Sequence, residues 1–248
     1  MKLRNRLSIS AVTRSISVRV VTLALTLSLV SVGSIPANAL NVCDVDPKSV
    51  ACITGKASST SVVVNKIRPL IPKNYYPSNL VRIPKYNPLG RIIKKEVSAA
   101  IVKLGDRMKA QGQGILVVQS GFRSYSSQVK IHSAKVAAIG KAKGEKLAAR
   151  PGHSEHQTGL AVDFAAQGVS TGTTSFAKTK AGIWLAANAY KFGFVLRYPY
   201  GKTQITGYSY EPWHFRYVGV ETAAAMHNQK IATLEEYFAL PAAPGYLN

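Results

Sequence analysis

The sequence predicts an α+β fold, a central antiparallel sheet with flanking helices. Helical and strand periodicities are mixed along the chain without the regular strand–helix–strand alternation of a parallel sheet. Of the 248 residues, 46% are apolar, enough for one good-sized core or at most two small ones and too many for a disordered chain. No internal repeat and no long apolar or heptad run points to a solenoid, a polytopic membrane protein or a coiled coil.

The elements follow in order. Lys2, Arg4, Arg6, Arg14 and Arg19 precede an uncharged, largely apolar run from Val20 to Val32, and then come Gly33, Pro36 and Ala37-Asn38-Ala39. Basic, apolar, then small-x-small is the order of a secretory signal peptide, here over residues 1–39. The run is shorter than the ~20 residues that span a bilayer, so an uncleaved anchor is the weaker reading. No stable membrane insertion is expected after cleavage. Residues 40–61 carry both cysteines, Cys43 and Cys52, and the small polar stretch Ala57-Ser58-Ser59-Thr60-Ser61. In an oxidising compartment this pair reads as a local disulfide stapling a tail, with a linker behind it. The domain proper is expected over 62–248.

Residues 65–90, rich in proline, read as extended segments wrapping a core. Ile93, Val97, Ala100, Ile101, Leu104 and Met108 recur at helical spacing and predict a helix over 91–110, ended by Gly112 and Gly114. Ile115 to Val118 reads as a buried strand running into Ser120-Gly121-Phe122-Arg123-Ser124. A second helix is predicted over 126–139, a basic mobile loop over 141–153 and a strand over 160–164. A third helix is expected from a Ser175 cap to Tyr190, closed by Gly193. Strands over 194–198 and 213–218 follow, and Thr233-x-x-Glu236 is a capping box opening a short last helix.

The net charge is +21, from 32 Lys and Arg against 11 Asp and Glu. Removing the five N-terminal cations with residues 1–39 leaves +16, still strongly basic but on an exported protein. Nucleic acid is then a poor partner. Anionic wall polymers and stem-peptide carboxylates of a bacterial envelope are good ones, and a merely solubilising charge is the bland reading.

The chemistry concentrates in two short stretches. His156 and Asp163 lie in Ser154-Glu155-His156-Gln157-Thr158-Gly159-Leu160-Ala161-Val162-Asp163, and His214 closes Glu211-Pro212-Trp213-His214. Two imidazoles and a carboxylate are the donor set of a catalytic zinc site, which keeps a fourth position open. A lone His–Asp pair is more often a structural hydrogen bond. Gly159 lets the chain turn between the first two. In polyproline II geometry, favoured by Pro212, Glu211 and His214 project to the same side, whereas in a flat strand they diverge. A carboxylate there stands where a general base belongs, or else makes a surface salt bridge. Arg123, after a buried strand and a glycine, can bind a substrate carboxylate or steady an oxyanion, though an arginine so placed is usually only solvated.

Ser-Gly-Phe-Arg-Ser-Tyr-x-x-Gln (120–128), Ser-x-His-x-x-Gly-x-Ala-x-Asp (154–163) and Glu-Pro-Trp-His-Phe-Arg-Tyr-Val-Gly (211–219) together resemble the VanY-type D-alanyl-D-alanine carboxypeptidases. These are zinc peptidases sharing a fold with lysostaphin-type enzymes and the hedgehog signalling domain. Asn65-Lys66-x-Arg68-Pro69-Leu70 and Tyr190-x-x-Gly193-Phe194 extend the resemblance to about 62–220. It implies one zinc ion held by His156, Asp163 and His214, with Glu211 as catalytic base and Arg123 polarising the scissile carbonyl. Ser154 and Gln128 are implied to help hold the peptide. Every motif position is filled; Phe122 departs from the tyrosine of many relatives but keeps the ring. The implied activity is secreted, zinc-dependent removal of the terminal D-alanine from peptidoglycan stem peptides. Its rivals are an endopeptidase of the same fold and a non-catalytic wall-binding protein with structural zinc.

Overall fold

Strand alternation gives this domain two chemically different sheet faces. The computed structural model describes residues 48–169 and 172–247. The expected signal peptide and Cys43 lie outside the described residues. Helix α1 (Val50–Gly55) opens the described chain, capped by Ser49. Strands β1 (Leu80–Arg82) and β2 (Ile92–Lys94) form a small antiparallel pair and lead into α2 (Lys95–Ala110). Then come β3 (Leu116–Ser120), α3 (Tyr125–Ile139), the short α4 (Lys141–Gly144) and β4 (Ala161–Ala166). Helix α5 (Lys180–Asn188), β5 (Phe194–Leu196), α6 (Thr203–Thr206), β6 (His214–Tyr217), α7 (Val220–Asn228) and α8 (Leu234–Tyr237) complete it. The main sheet is four-stranded and antiparallel, in the order β3-β4-β6-β5, so the fold is α+β.

In β4 the side chains of Val162 and Phe164 point one way and Asp163 the other; in β6 Phe215 opposes His214 and Arg216. The apolar face packs under α2 and α5 in one core with Val97, Ile101, Leu104, Met108 and Leu185. Full burial of such side chains contributes roughly 1.5–3 kcal/mol each. The polar face is left to the site.

Several elements depart from expectation for local reasons. Helix α2 starts at Lys95 rather than 91 because Ile92–Lys94 is spent pairing with β1. The basic stretch after 140 is ordered into α4, and Ala148 and Ala149 behind it are buried. The predicted third helix is split: Thr179 caps α5, and 3₁₀ turns flank it over Thr174–Lys178 and Ala189–Phe192. Thr233 caps α8 by accepting from the Glu236 amide, as the capping box predicts.

The segment read as tail and linker is packed where it is described: Cys52, Thr54 and Ala57 are buried in front of Val62, Val63 and Val64. Lys94 Nζ donates to Ser58 O at 3.1 Å, and Arg216 donates to Thr60 O and Val62 O at 2.8 and 2.7 Å. Among the described residues, no helix is long and apolar enough to cross a membrane.

Candidate metal centre and catalytic cleft

The polar face of the sheet brings the two distant motifs together. Asp163 in β4 and His214 in β6 are register partners across the ladder, and Asp163 also pairs with Ser120 of β3 beside a bulge. His156 arrives from a 3₁₀ turn, Glu155–Thr158, that is closed by Gly159 in the left-handed conformation at φ 69°. A side chain there would be strained, and its Cβ would stand 3.0 Å from Leu80 Cδ2. Glycine at this point is therefore what lets His156 fold back over Asp163.

One donor atom each from His156, Asp163 and His214 lie within 4.8 Å of one another. Asp163 spans the two imidazoles: its Oδ1 is 3.1 Å from His214 Nδ1 and its Oδ2 is 3.4 Å from His156 Nε2. The Gly121 carbonyl can only accept, so the 2.8 Å contact assigns the His156 proton to Nδ1 and frees Nε2 for the site. Two buried imidazoles and a half-buried carboxylate, convergent on one point, fit a zinc ion with further positions open to water or substrate.

The three donors open into a cleft of about 250 Å³ that Arg123, Ser154, Glu211 and Trp213 also line. Glu211 Oε2 stands 3.8 Å from His214 Nδ1. The backbone that achieves this is a hydrogen-bonded turn, His214 N donating to Glu211 O at 3.1 Å. This corrects the polyproline II expectation, since that helix makes no internal hydrogen bonds; the turn brings both side chains to one side instead. Burial pushes the Glu211 carboxyl up to about 8, with Asp163 adding and His214 and Arg123 opposing. Burial also opposes charge on Asp163, but His156 and His214 outweigh it and hold this carboxyl well below the usual range. The two carboxyls are thereby driven apart, one fixed as an anion and one poised to exchange a proton.

Arg123 is anchored before it reaches the cleft. Its Nη1 donates to Gln128 Oε1 at 3.0 Å and its Nη2 to Ser120 Oγ at 3.2 Å. Gln128 is 1% exposed, donates to Ala149 O at 2.7 Å, and is absent from the cleft wall. It stands behind Arg123 and reaches the cleft only through it, whereas Ser154 does line the cleft.

Sequence reading passed over a second tier of charge. Glu155, Arg197, Arg216 and Glu235 are each at most 1% exposed. Arg197 Nε and Arg216 Nη1 both donate to Glu155 Oε1 at 2.9 Å, and Arg197 makes a two-pronged pair with Glu235 at 2.9 and 2.7 Å. Arg197 directly after Phe-Val-Leu, and Arg216 inside His-Phe-Arg-Tyr, were the available signals. A charge within an apolar strand run calls for a buried partner.

The family model for VanY, D-alanyl-D-alanine carboxypeptidase, matches residues 90–220. The putative carboxypeptidase YodJ of Bacillus subtilis is 42% identical over 177 residues, 68% of this chain and 63% of that protein. The chain thus spans less than two-thirds of this relative's length. Among solved structures, the LdcB LD-carboxypeptidase is 40% identical, with a TM-score of 0.68 over 74% of this chain and 87% of that one. A VanY D,D-pentapeptidase from a VanB-type resistance cassette, solved with Zn(II), is 37% identical, with a TM-score of 0.61 over 72% of this chain and 98% of that one.

Proposed function

The chain belongs to the VanY family of D-alanyl-D-alanine carboxypeptidases, and on that premise we propose that it is a secreted zinc carboxypeptidase removing the terminal D-alanine from peptidoglycan stem peptides. The observation that carries this reading is the poised Glu211 carboxyl beside the cluster of His156, Asp163 and His214 in one cleft. A structural zinc site closes with four protein ligands and needs no free carboxyl at its side.

His156, His214 and the Asp163 carboxylate would hold the metal. When bound, zinc supplies Lewis acidity to water and to the scissile carbonyl. Glu211 takes a proton from the attacking water as the carbon–oxygen bond forms. It returns that proton to the amine nitrogen as the carbon–nitrogen bond breaks. Arg123, braced by Gln128 and Ser120, turns its remaining donors to the carbonyl oxygen as negative charge develops there. Ser154, on the cleft wall, helps hold the peptide.

Export over residues 1–39, a Cys43–Cys52 staple and contact of the basic surface with anionic wall polymers complete the proposal. They suit a protein that keeps a net charge of +16 once residues 1–39 are removed and works against an acidic envelope. The similarity to LdcB favours a second reading of the same site, in which the bond cut is the L,D bond of a tetrapeptide stem. Incubating the purified chain with defined tetra- and pentapeptide stems, with and without a chelator, separates these by product mass. Loss of one alanine from the pentapeptide supports the D,D reading, and loss from the tetrapeptide alone replaces it with the L,D one. Internal cleavage makes the protein an endopeptidase, and no cleavage at all ends the enzymatic proposal.

A further inference from the structure

Glu155 is the chain neighbour of His156, yet its carboxylate faces the other imidazole. Its Oε1 is taken by Arg197 and Arg216. Its Oε2 has no hydrogen-bond partner among the described residues and stands 3.7 Å from His214 Nε2, which is buried and equally without one. An orphaned acceptor facing an orphaned donor in the interior is an exception that asks for a reason. The gap exceeds the roughly 2.7–3.2 Å of an N–H···O hydrogen bond by about half an ångström, which a small tilt of the ring closes. The ring's other nitrogen, Nδ1, is already directed at Asp163.

We propose that Glu155 is a positioning residue for His214: its Oε2 accepts the Nε2–H, places the ring proton there and presents the Nδ1 lone pair to the metal. The inference rests on the reading of His214 as a ligand. A ring that donates to a carboxylate is also a more basic ligand than one that donates to water. What makes Glu155 suited to the task is its rigidity. Its first oxygen is clamped by two guanidiniums, Arg197 is clamped in turn by Glu235, and Asn65 Nδ2 donates to Glu235 Oε1 at 2.9 Å. The orientation of one ligand is thus set by a buried chain of charges reaching residues 65 and 235, outside the motif that supplies it. His156 uses a backbone carbonyl for the same purpose, so the two rings ligate through different nitrogens.

The experiment begins with ¹⁵N-histidine NMR of the zinc-loaded chain. His214 is expected to carry its proton on Nε2 and the metal on Nδ1; ligation through Nε2 overturns the proposal. Chelator competition then reads zinc affinity without any substrate. Glu155→Gln is expected to weaken zinc about 10- to 100-fold, the usual cost of losing such a partner. Glu235→Gln, which loosens Arg197 one step behind Glu155, is expected to weaken zinc clearly less than Glu155→Gln does. Unchanged affinity in Glu155→Gln, or equal loss in both variants, overturns the assignment. Should Glu155→Gln not fold, the NMR arm on the wild-type chain still decides. Turnover is assayed separately, so an inactive chain with the expected tautomer and affinities counts against the peptidase reading and for this one.

Discussion

Asp163 and His214, 51 residues apart in the chain, stand opposite each other in register across β4 and β6, with Oδ1 3.1 Å from Nδ1. Backbone hydrogen bonds of the sheet therefore hold two of the three proposed ligands, before any metal contributes. The third, His156, depends on one left-handed turn.

Glu211→Gln should retain zinc and lose turnover by about 10²- to 10⁴-fold, the range for removal of a general base. His214→Ala should lose both. Metal content and stem-peptide hydrolysis measured on the same preparations check this. Full activity in Glu211→Gln would sink the mechanism, and loss of zinc there would make Glu211 a ligand.

Arg123→Lys keeps the charge but removes the planar fork that Gln128 and Ser120 hold. We expect kcat to fall about 10²- to 10³-fold, as when an oxyanion donor is lost. Steady-state kinetics on a stem peptide decide; a change confined to KM would assign Arg123 to binding alone.

Gly159→Ala must adopt φ near 69° with a Cβ 3.0 Å from Leu80 Cδ2 and 3.1 Å from Lys94 Cγ. The left-handed conformation alone costs roughly 1–2 kcal/mol. Denaturant unfolding should register at least that loss, with weaker zinc retention because His156 shifts. A variant as stable as wild type would show that the turn relaxes elsewhere.

Stripping zinc should abolish hydrolysis and lower the melting temperature, and adding it back should restore both. A ligand at 1,000 times its Kd stabilises by about 4.1 kcal/mol. A chelator-resistant activity would exclude the proposed cofactor role.

The zinc-stripped chain should also show a stability maximum in pH. Glu155 is buried, but Arg197 and Arg216 overcome that penalty and hold its carboxyl far below 4.5, and Asp163 behaves alike. Here the folded state binds fewer protons than the unfolded chain, so this stability is complete above about pH 4.5 and is lost as pH falls. Glu211 has the opposite sign. Burial raises it to about 8, so its contribution is present in acid and lost as pH rises toward that value. His214 is raised to about 9: burial opposes its charge, but Asp163 and Glu155 prevail, and its contribution fades in the same direction. Melting temperatures across the pH range should peak at about pH 5 to 6. A steady rise to pH 9 would contradict these assignments.

Much of the site was legible because its information is local. His156 and Asp163 flank a glycine within one short block, and Glu211 and His214 share a single turn. Alternation of Val162, Asp163 and Phe164 in a strand separates one face from the other wherever that strand lies. The family resemblance, the α+β class and most element positions came from such near-neighbour patterns. What the sequence alone determined was which residue types were available and which way each would point along its own strand.

Only the tertiary structure decided which of them meet. Glu155 finds Arg216 across 61 residues and Arg197 across 42, and Asn65 finds Glu235 across 170. No periodicity encodes these pairs, because each is fixed by strand register and chain return, not by spacing. The same holds for Gln128, read as a substrate contact from its motif but placed behind Arg123 by α3. A buried charge cannot remain unpaired at bearable cost, so the fold selects the partners, and that selection aims Glu155 at His214.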